Sequence, residues 1–301
     1  MLLAAGAGGA YGRGMSMLAL ILAAAVSAVA PSPATAGTVP EACGARDGWS
    51  DPAVPQRIAA NVWYVGTCGI SAVLVTSGAG HVLIDGGPRD AGGLVAASIE
   101  RAGFRLKDVR WIVSGHEHHD HAGGIAELKR LTGARVAATA ANAAVLRTGV
   151  PAADDPQAGD IAAFSPVAVD RVLADGETLR LGRLALTAHV TPGHSPGSTS
   201  WTWTSCARGR CLKFAYADSV SAISAPGYRF SDHPGYVAGF RRALATVAGL
   251  PCEVIVTPHP SASGLFDKLA GKAPLVDAGA CRAYAAQGEA GLEARLVKEK
   301  Q

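Results

Sequence analysis

The chain lacks a charge of one dominant sign: 27 basic residues stand against 24 acidic ones, for a formal net charge of +3. No Lys/Arg-rich run breaks that balance, so there is no track for a phosphate backbone and nucleic acid is not an expected partner. Past the N-terminal segment, no stretch stays apolar for the roughly 20 residues that cross a bilayer. The six cysteines, Cys43, Cys68, Cys206, Cys211, Cys252 and Cys281, never stand in C-x-x-C spacing, which argues against a thiolate-held zinc knuckle. Short-period repeats and low-complexity tracts are missing after the N-terminal segment. Disorder is excluded as well, because 49% of the 301 residues are hydrophobic, enough for one large core or two modest ones fused face to face.

What is there begins with an apolar segment. Met17 to Ala30 is almost wholly hydrophobic, Arg13 precedes it, and residues 31–37 are small or proline. This is the plan of a secretory signal peptide, with Ala34-Thr35-Ala36 meeting the small-x-small rule for cleavage. Residues 1–36 are therefore read as a signal peptide and 37–301 as a single domain, with Met15 or Met17 as possible start sites. A run of about 14 apolar residues is too short for a membrane anchor. The expected location is periplasmic or secreted, where an even cysteine count suggests disulfides. Cys206 and Cys211, close across an Arg/Gly turn, form the pair that proximity favours.

Short β-branched runs at 62–65, 70–76 and 81–84 read as hairpin-connected strands, followed by a helix over 94–102 and a strand over 109–113. Helical spacing at 125–131 stops at Gly133. Further strands are predicted at 135–138, 172–173, 184–190, 200–203, 212–216 and 253–256, with helices at 237–247 and 278–296. Residues 152–166 read as a polar surface loop. Two β-rich halves, each with helices, imply packed sheets with helices outside.

Between the 109–113 strand and the following helix lies His116-Glu117-His118-His119-Asp120-His121, which holds four of the nine histidines. Imidazole and carboxylate are zinc ligands, and three protein ligands with an open position make zinc a catalyst. Alone, Asp120 could equally be the N-cap of a helix beginning near Ala122. His194 and His259 stand in Pro/Gly turns, Thr191-Pro192-Gly193-His194-Ser195-Pro196-Gly197 and Thr257-Pro258-His259-Pro260. Three plus three ligands suffice for two metal ions.

The H-x-H-x-D-H window, followed by single histidines at these intervals, resembles the metallo-β-lactamase superfamily. Gly193-His194-Ser195-Pro196-Gly197-Ser198-Thr199, Ala217-Asp218-Ser219 and Thr257-Pro258-His259-Pro260 are similar to subclass B3. Gly66-Thr67-Cys68-Gly69-Ile70 and Asp85-Gly86-Gly87 extend the similarity, which runs from about Cys43 to the C-terminus. The resemblance implies an α/β fold of the αββα type, two mixed β-sheets packed face to face with helices outside. It implies two Zn2+ per chain, the first on His116, His118 and His194 and the second on Asp120, His121 and His259. The implied activity is that of a zinc-dependent β-lactamase, hydrolysing the amide bond of penicillins, cephalosporins or carbapenems by a metal-bound hydroxide that Asp120 orients. Ser219 or Ser221 would bind the substrate carboxylate, and Gln157, in the 152–166 loop, is a further substrate-contact candidate. The implied remaining disulfides pair Cys43 with Cys68 and Cys252 with Cys281. A monomer acting on a small-molecule β-lactam, with no membrane partner after signal cleavage, is expected.

Asp85 and Ser114 are candidates for supporting the ligands, Asp85 equally for organising its Gly-Gly turn. Other readings stay open. Acyl-homoserine lactonases and glyoxalase II-like thioesterases share the histidine window but use an aspartate bridging both metals, and Asp218 lies near that place. A non-enzymatic exported zinc-binding protein is a third reading. Gly193 to Gly197 also fits G-x-S-x-G, yet Pro196 has no N–H to give to an oxyanion, which counts against a serine nucleophile. His119 is expected at the pocket rim or in solvent, His189 in the core or behind a ligand, His81 and His233 at the surface or in turns, and Trp201 and Trp203 in the core.

Overall fold

The computed structural model describes residues 37–301, so the signal-peptide reading of residues 1–36 lies outside the described residues. Two mixed sheets form. The first runs in the order β1 (Gln56–Ala59), β2 (Val62–Tyr64), β3 (Val73–Val75), β4 (His81–Ile84), β5 (Val109–Val113), β6 (Arg135–Thr139) and β7 (Arg171–Leu173). Its first four strands are antiparallel, and β4 to β7 are parallel. Parallel neighbours need crossovers. These are supplied by α2 (Gly92–Arg101), by α3 (His119–Ala122) with α4 (Ile125–Thr132), and by α5 (Ala140–Thr148), while α1 (Val39–Cys43) precedes the sheet.

The second sheet holds β8 (Thr178–Leu181), β9 (Leu184–Val190), β10 (Thr199–Ala207), β11 (Arg210–Tyr216) and β12 (Val254–Val256), adjacent in that order. Only its β11–β12 pair is parallel, bridged by α6 (Pro234–Ala248). Then α7 (Leu265–Leu269) and α8 (Ala280–Lys298) close the chain.

Period-two alternation decides which face each strand gives to which layer. On β5, Trp111 and Val113 enter the core between the sheets with Trp201, Phe214 and Tyr216, while Ile112 points outward onto α2 and α4. On β11, Phe214 and Tyr216 point inward and Ala215 outward, toward Phe240 and Leu244 of α6 and Leu292 of α8. The result is the expected αββα sandwich. Helix α4 ends where expected because Gly133, at φ +74°, takes the left-handed cap position.

Three disulfides, Cys43–Cys68, Cys206–Cys211 and Cys252–Cys281, leave no free cysteine among the described residues. The first ties α1 to the β2–β3 loop, the second crosses the β10–β11 hairpin, and the third fastens α8 beside β12. Closing a loop in this way removes freedom from the unfolded chain. No helix of the described residues is long and apolar enough to cross a membrane.

Two readings need correction. His81 is not a surface or turn residue: it opens β4, is buried, and packs edge-on against Phe104 at 5.1 Å. Burial pushes its pKa down. Nor does Asp120 cap a helix starting near Ala122, because α3 already begins at His119 with His118 as its N-cap.

Candidate metal centre

The C-terminal ends of β4, β5, β9, β11 and β12 deliver Asp85, His116, His194, Asp218 and His259 to one edge of the sandwich. Helix α3 turns at once after β5, which keeps His118, Asp120 and His121 at the same edge. The six residues proposed as ligands meet there. His116, His118 and His194 are buried, with ligand atoms within 4.8 Å of one another, and so are His116, Asp120 and His121. His259 joins the second group, its Nε2 lying 3.4 Å from Asp120 Oδ2 and its ring 4.9 Å from that of His121.

Each imidazole of the first group is held from behind, which fixes the nitrogen left to face the centre. His116 Nδ1 lies 2.8 Å from Asp218 Oδ1, and its Nε2 is buried with no hydrogen-bond partner among the described residues. His118 Nε2 lies 2.9 Å from Asp155 Oδ2. His194 Nδ1 has Ser221 O at 3.1 Å and Ser221 Oγ at 3.0 Å. In the second group, His121 Nε2 lies 3.0 Å from Asp120 Oδ2, and neither of its ring nitrogens has a hydrogen bond among the described residues.

The electrostatics suit a cation. Burial, reinforced by neighbouring histidines, holds His116 and His194 well below the ordinary imidazole pKa, so both are neutral and free to donate a lone pair. For His118 burial acts in the same direction, but the Asp155 hydrogen bond and charge, together with the Glu117 and Asp120 carboxylates, outweigh it and the net shift is upward. Burial would raise Asp120, yet His121 and His259 overcome it and keep the carboxyl well below its usual range. Burial pushes Asp85 and Asp218 up and raises Glu117 to about 7. The neutral rings of His116 and His194, the orphaned buried nitrogens and the buried carboxylates around them together fit a divalent metal.

Asp85 does both things weighed for it. At φ +61° it organises its turn, while Oδ1 accepts the Gly115 N–H at 2.6 Å and Oδ2 accepts the Tyr216 hydroxyl at 2.5 Å. Ser114 donates its hydroxyl to His116 O at 2.9 Å and accepts from Trp201 Nε1 at its own carbonyl, 3.0 Å away. His119 is half-buried beside Trp49, at 5.9 Å between rings. His189 bonds Thr202 Oγ1 at 2.8 Å, within the second sheet. His233 is exposed at the start of α6, stacked on Tyr228. Ser195 is wholly buried and donates its hydroxyl to Glu117, which leaves the G-x-S-x-G pattern without an exposed nucleophile.

Of the candidate substrate contacts, Ser219 is buried and Ser221 exposed, and both line a cavity of about 380 Å³ with His259 and Tyr284. Gln157 is half-buried, and its side-chain nitrogen has no hydrogen-bond partner among the described residues. The loops join where Ala225 N donates to Pro156 O at 2.9 Å.

Asp155 went unassigned in the sequence, although Asp154-Asp155-Pro156 is a turn signal in the loop placed over the site. Its second oxygen accepts the Gln157 N–H at 2.7 Å, so one carboxylate serves His118 and the loop bearing Gln157. Replacing Asp155 with Ala is expected to weaken metal binding about 10- to 100-fold, the usual cost of losing a partner behind a ligand. Competition with a chromogenic chelator measures it, and unchanged affinity would remove Asp155 from the account.

A four-layer sandwich with this His/Asp cluster at its edge is the frame of a metal-dependent hydrolase. The chain belongs to the metallo-beta-lactamase superfamily, and residues 65–206 match that family's model. It is similar to the crystal structure of the metallo-beta-lactamase MIM-1 from Novosphingobium pentaromativorans, with 56% identity and a TM-score of 0.86 over 87% of this chain and 98% of that one. MEM-A1, a subclass B3 metallo-beta-lactamase from a soil metagenome library, is 42% identical with a TM-score of 0.81 over 84% and 99%. Among curated proteins, a hydroxyacylglutathione hydrolase from Acidiphilium cryptum is 30% identical over 185 residues, 62% of this chain and 61% of that one. The chain thus spans about three fifths of that relative's length.

Proposed function

We propose that the protein is an exported, zinc-dependent β-lactamase that opens the amide bond of β-lactam antibiotics. The observation that carries this reading is the six-residue His/Asp edge site in a chain 56% identical to a solved metallo-beta-lactamase across 98% of that structure. His116, His118 and His194 would hold one zinc ion, and Asp120, His121 and His259 a second. When bound, the ions supply Lewis acidity, which activates water and polarises a carbonyl.

The chain's own residues do the rest. Asp120, ionised and with Oδ2 close to both His121 and His259, accepts a hydrogen bond from the attacking water and orients it toward the carbonyl carbon. Ser219 and Ser221 take the substrate carboxylate in the cavity beside His259, and the unpartnered Gln157 amide is a further donor to the substrate. Asp218 and Asp155 keep the rings of His116 and His118 turned toward the centre. Residues 1–36 act as the signal peptide, and the exported domain works as a monomer on a small molecule.

The thioesterase reading has support from the hydroxyacylglutathione hydrolase similarity. Against it, Asp218 Oδ1 is engaged 2.8 Å from His116 Nδ1, behind the ring, which is not the role of a carboxylate shared by two metals. The test is turnover of a cephalosporin and a carbapenem beside a glutathione thioester and an acyl-homoserine lactone. Lactam turnover is expected to lead, and a leading thioester or lactone would overturn the proposal.

A further inference from the structure

Glu117 stands between two residues of the three-imidazole set, yet its side chain turns toward the turn that carries the third. It is only 2% exposed. Its Oε1 accepts the Gly197 N–H at 2.8 Å and its Oε2 accepts the Ser195 hydroxyl at 3.0 Å. Burying a carboxylate is costly unless donors meet it, and here the donors come from a segment about 80 residues away in sequence. The same turn is cross-braced internally, with Ser195 Oγ 3.1 Å from Ser198 Oγ.

The fit is close on every side. A Cβ at Gly197 would fall 2.3 Å from Glu117 Oε2 and 2.7 Å from the Asn142 backbone. One at Gly193 would fall 2.1 Å from the Phe240 ring. Glycines on both sides of His194 therefore let the turn be gripped between Phe240, Asn142 and the carboxylate, while Pro192 and Pro196 restrict its backbone. His194 is consequently placed relative to His116 and His118 through Glu117, which shares its backbone with both.

We propose that Glu117 is a positioning residue: its carboxylate straps the turn of His194 to the segment of His116 and His118 and thereby sets the affinity of that three-imidazole set for a divalent cation. The inference rests on the metal-dependent reading above and deepens it by naming what holds the first metal's ligands in register.

The test is a stepwise zinc titration, by competition with a chromogenic chelator, of the full domain and its Glu117→Gln, Glu117→Ala and Ser195→Ala variants. Thermal midpoints of the metal-free proteins are measured alongside. Glu117→Ala is expected to weaken one of the two equivalents about 10- to 100-fold and the other markedly less, since the Glu117 carboxylate bonds the turn of His194 and not Asp120, His121 or His259. Gln keeps an oxygen for Gly197 N–H and can still pair with Ser195, so Glu117→Gln restores affinity to within about threefold. Ser195→Ala loses one of the two bonds and falls between, on the same equivalent. If Glu117→Ala does not fold, Ser195→Ala and Glu117→Gln decide the matter alone.

Wild-type affinities in Glu117→Ala or Ser195→Ala would overturn the proposal. So would equal weakening of both equivalents, or a loss that Gln does not rescue, each of which marks a general structural role. Failure of the wild-type protein to bind zinc at all would instead overturn the reading on which the proposal rests.

Discussion

Asp120→Asn is expected to lower kcat/KM on a cephalosporin by about 10²- to 10⁴-fold, the range that a positioned acid–base group contributes. The substitution keeps shape and burial but removes the charge. In the folded protein that charge is strongly favoured, because His121 Nε2 at 3.0 Å and His259 Nε2 at 3.4 Å surround one oxygen. Asparagine offers a weaker ligand atom and no anionic acceptor for water. The loss should fall mainly on kcat, since an interaction made in the transition state is removed while substrate contacts at Ser219 and Ser221 remain. Circular dichroism should be unchanged, because the neutral isostere fills the same space. A variant within about threefold of wild type would deny Asp120 both roles.

The second large effect is on stability. Trp201 lies wholly buried at the centre of the two-sheet core, and its indole N–H bonds the Ser114 carbonyl at 3.0 Å. Trp201→Ala is expected to cost about 3–5 kcal/mol from the cavity, with about 1 kcal/mol more for the lost hydrogen bond. Set against a total stability of about 5–15 kcal/mol, this lowers the thermal midpoint by about 10 °C or more. Metal affinity should fall as well, because Ser114 also hydrogen-bonds His116 O and leads directly into the ligand segment. Trp201→Phe removes the hydrogen bond and part of the ring, so its midpoint should lie between the two. A Trp201→Ala midpoint within about 2 °C of wild type would contradict the packing account.

How far the sequence could be read depended on how local each signal was. The ligand window was legible because four histidines and Asp120 fall within six positions, and His194 and His259 because prolines and glycines mark their turns. Strand β9 appeared with its observed ends since Leu184, Leu186 and Ala188 alternate with half-buried neighbours. Helix α5 was missed: it follows β6 without a Gly or Pro break, and its Ala-rich sequence carries little periodicity. The edge strands β1 and β8 were missed because they are short and partly exposed. Asp155 and Tyr216 could not be assigned, because their partners His118 and Asp85 lie far off in sequence and only the tertiary fold joins them. His81 misled for a related reason, its burial depending on Phe104 across the helix that intervenes.

The most direct measurement is hydrolysis of a chromogenic cephalosporin and a carbapenem by the domain from Gly37, with zinc, after chelation, and after zinc is restored. Rapid turnover is expected, abolished by chelation and recovered by zinc, with lactams ahead of thioester and lactone. Protein shown to hold two zinc ions yet inert toward both lactams would contradict it and turn attention to Asp218 and thioester or lactone substrates.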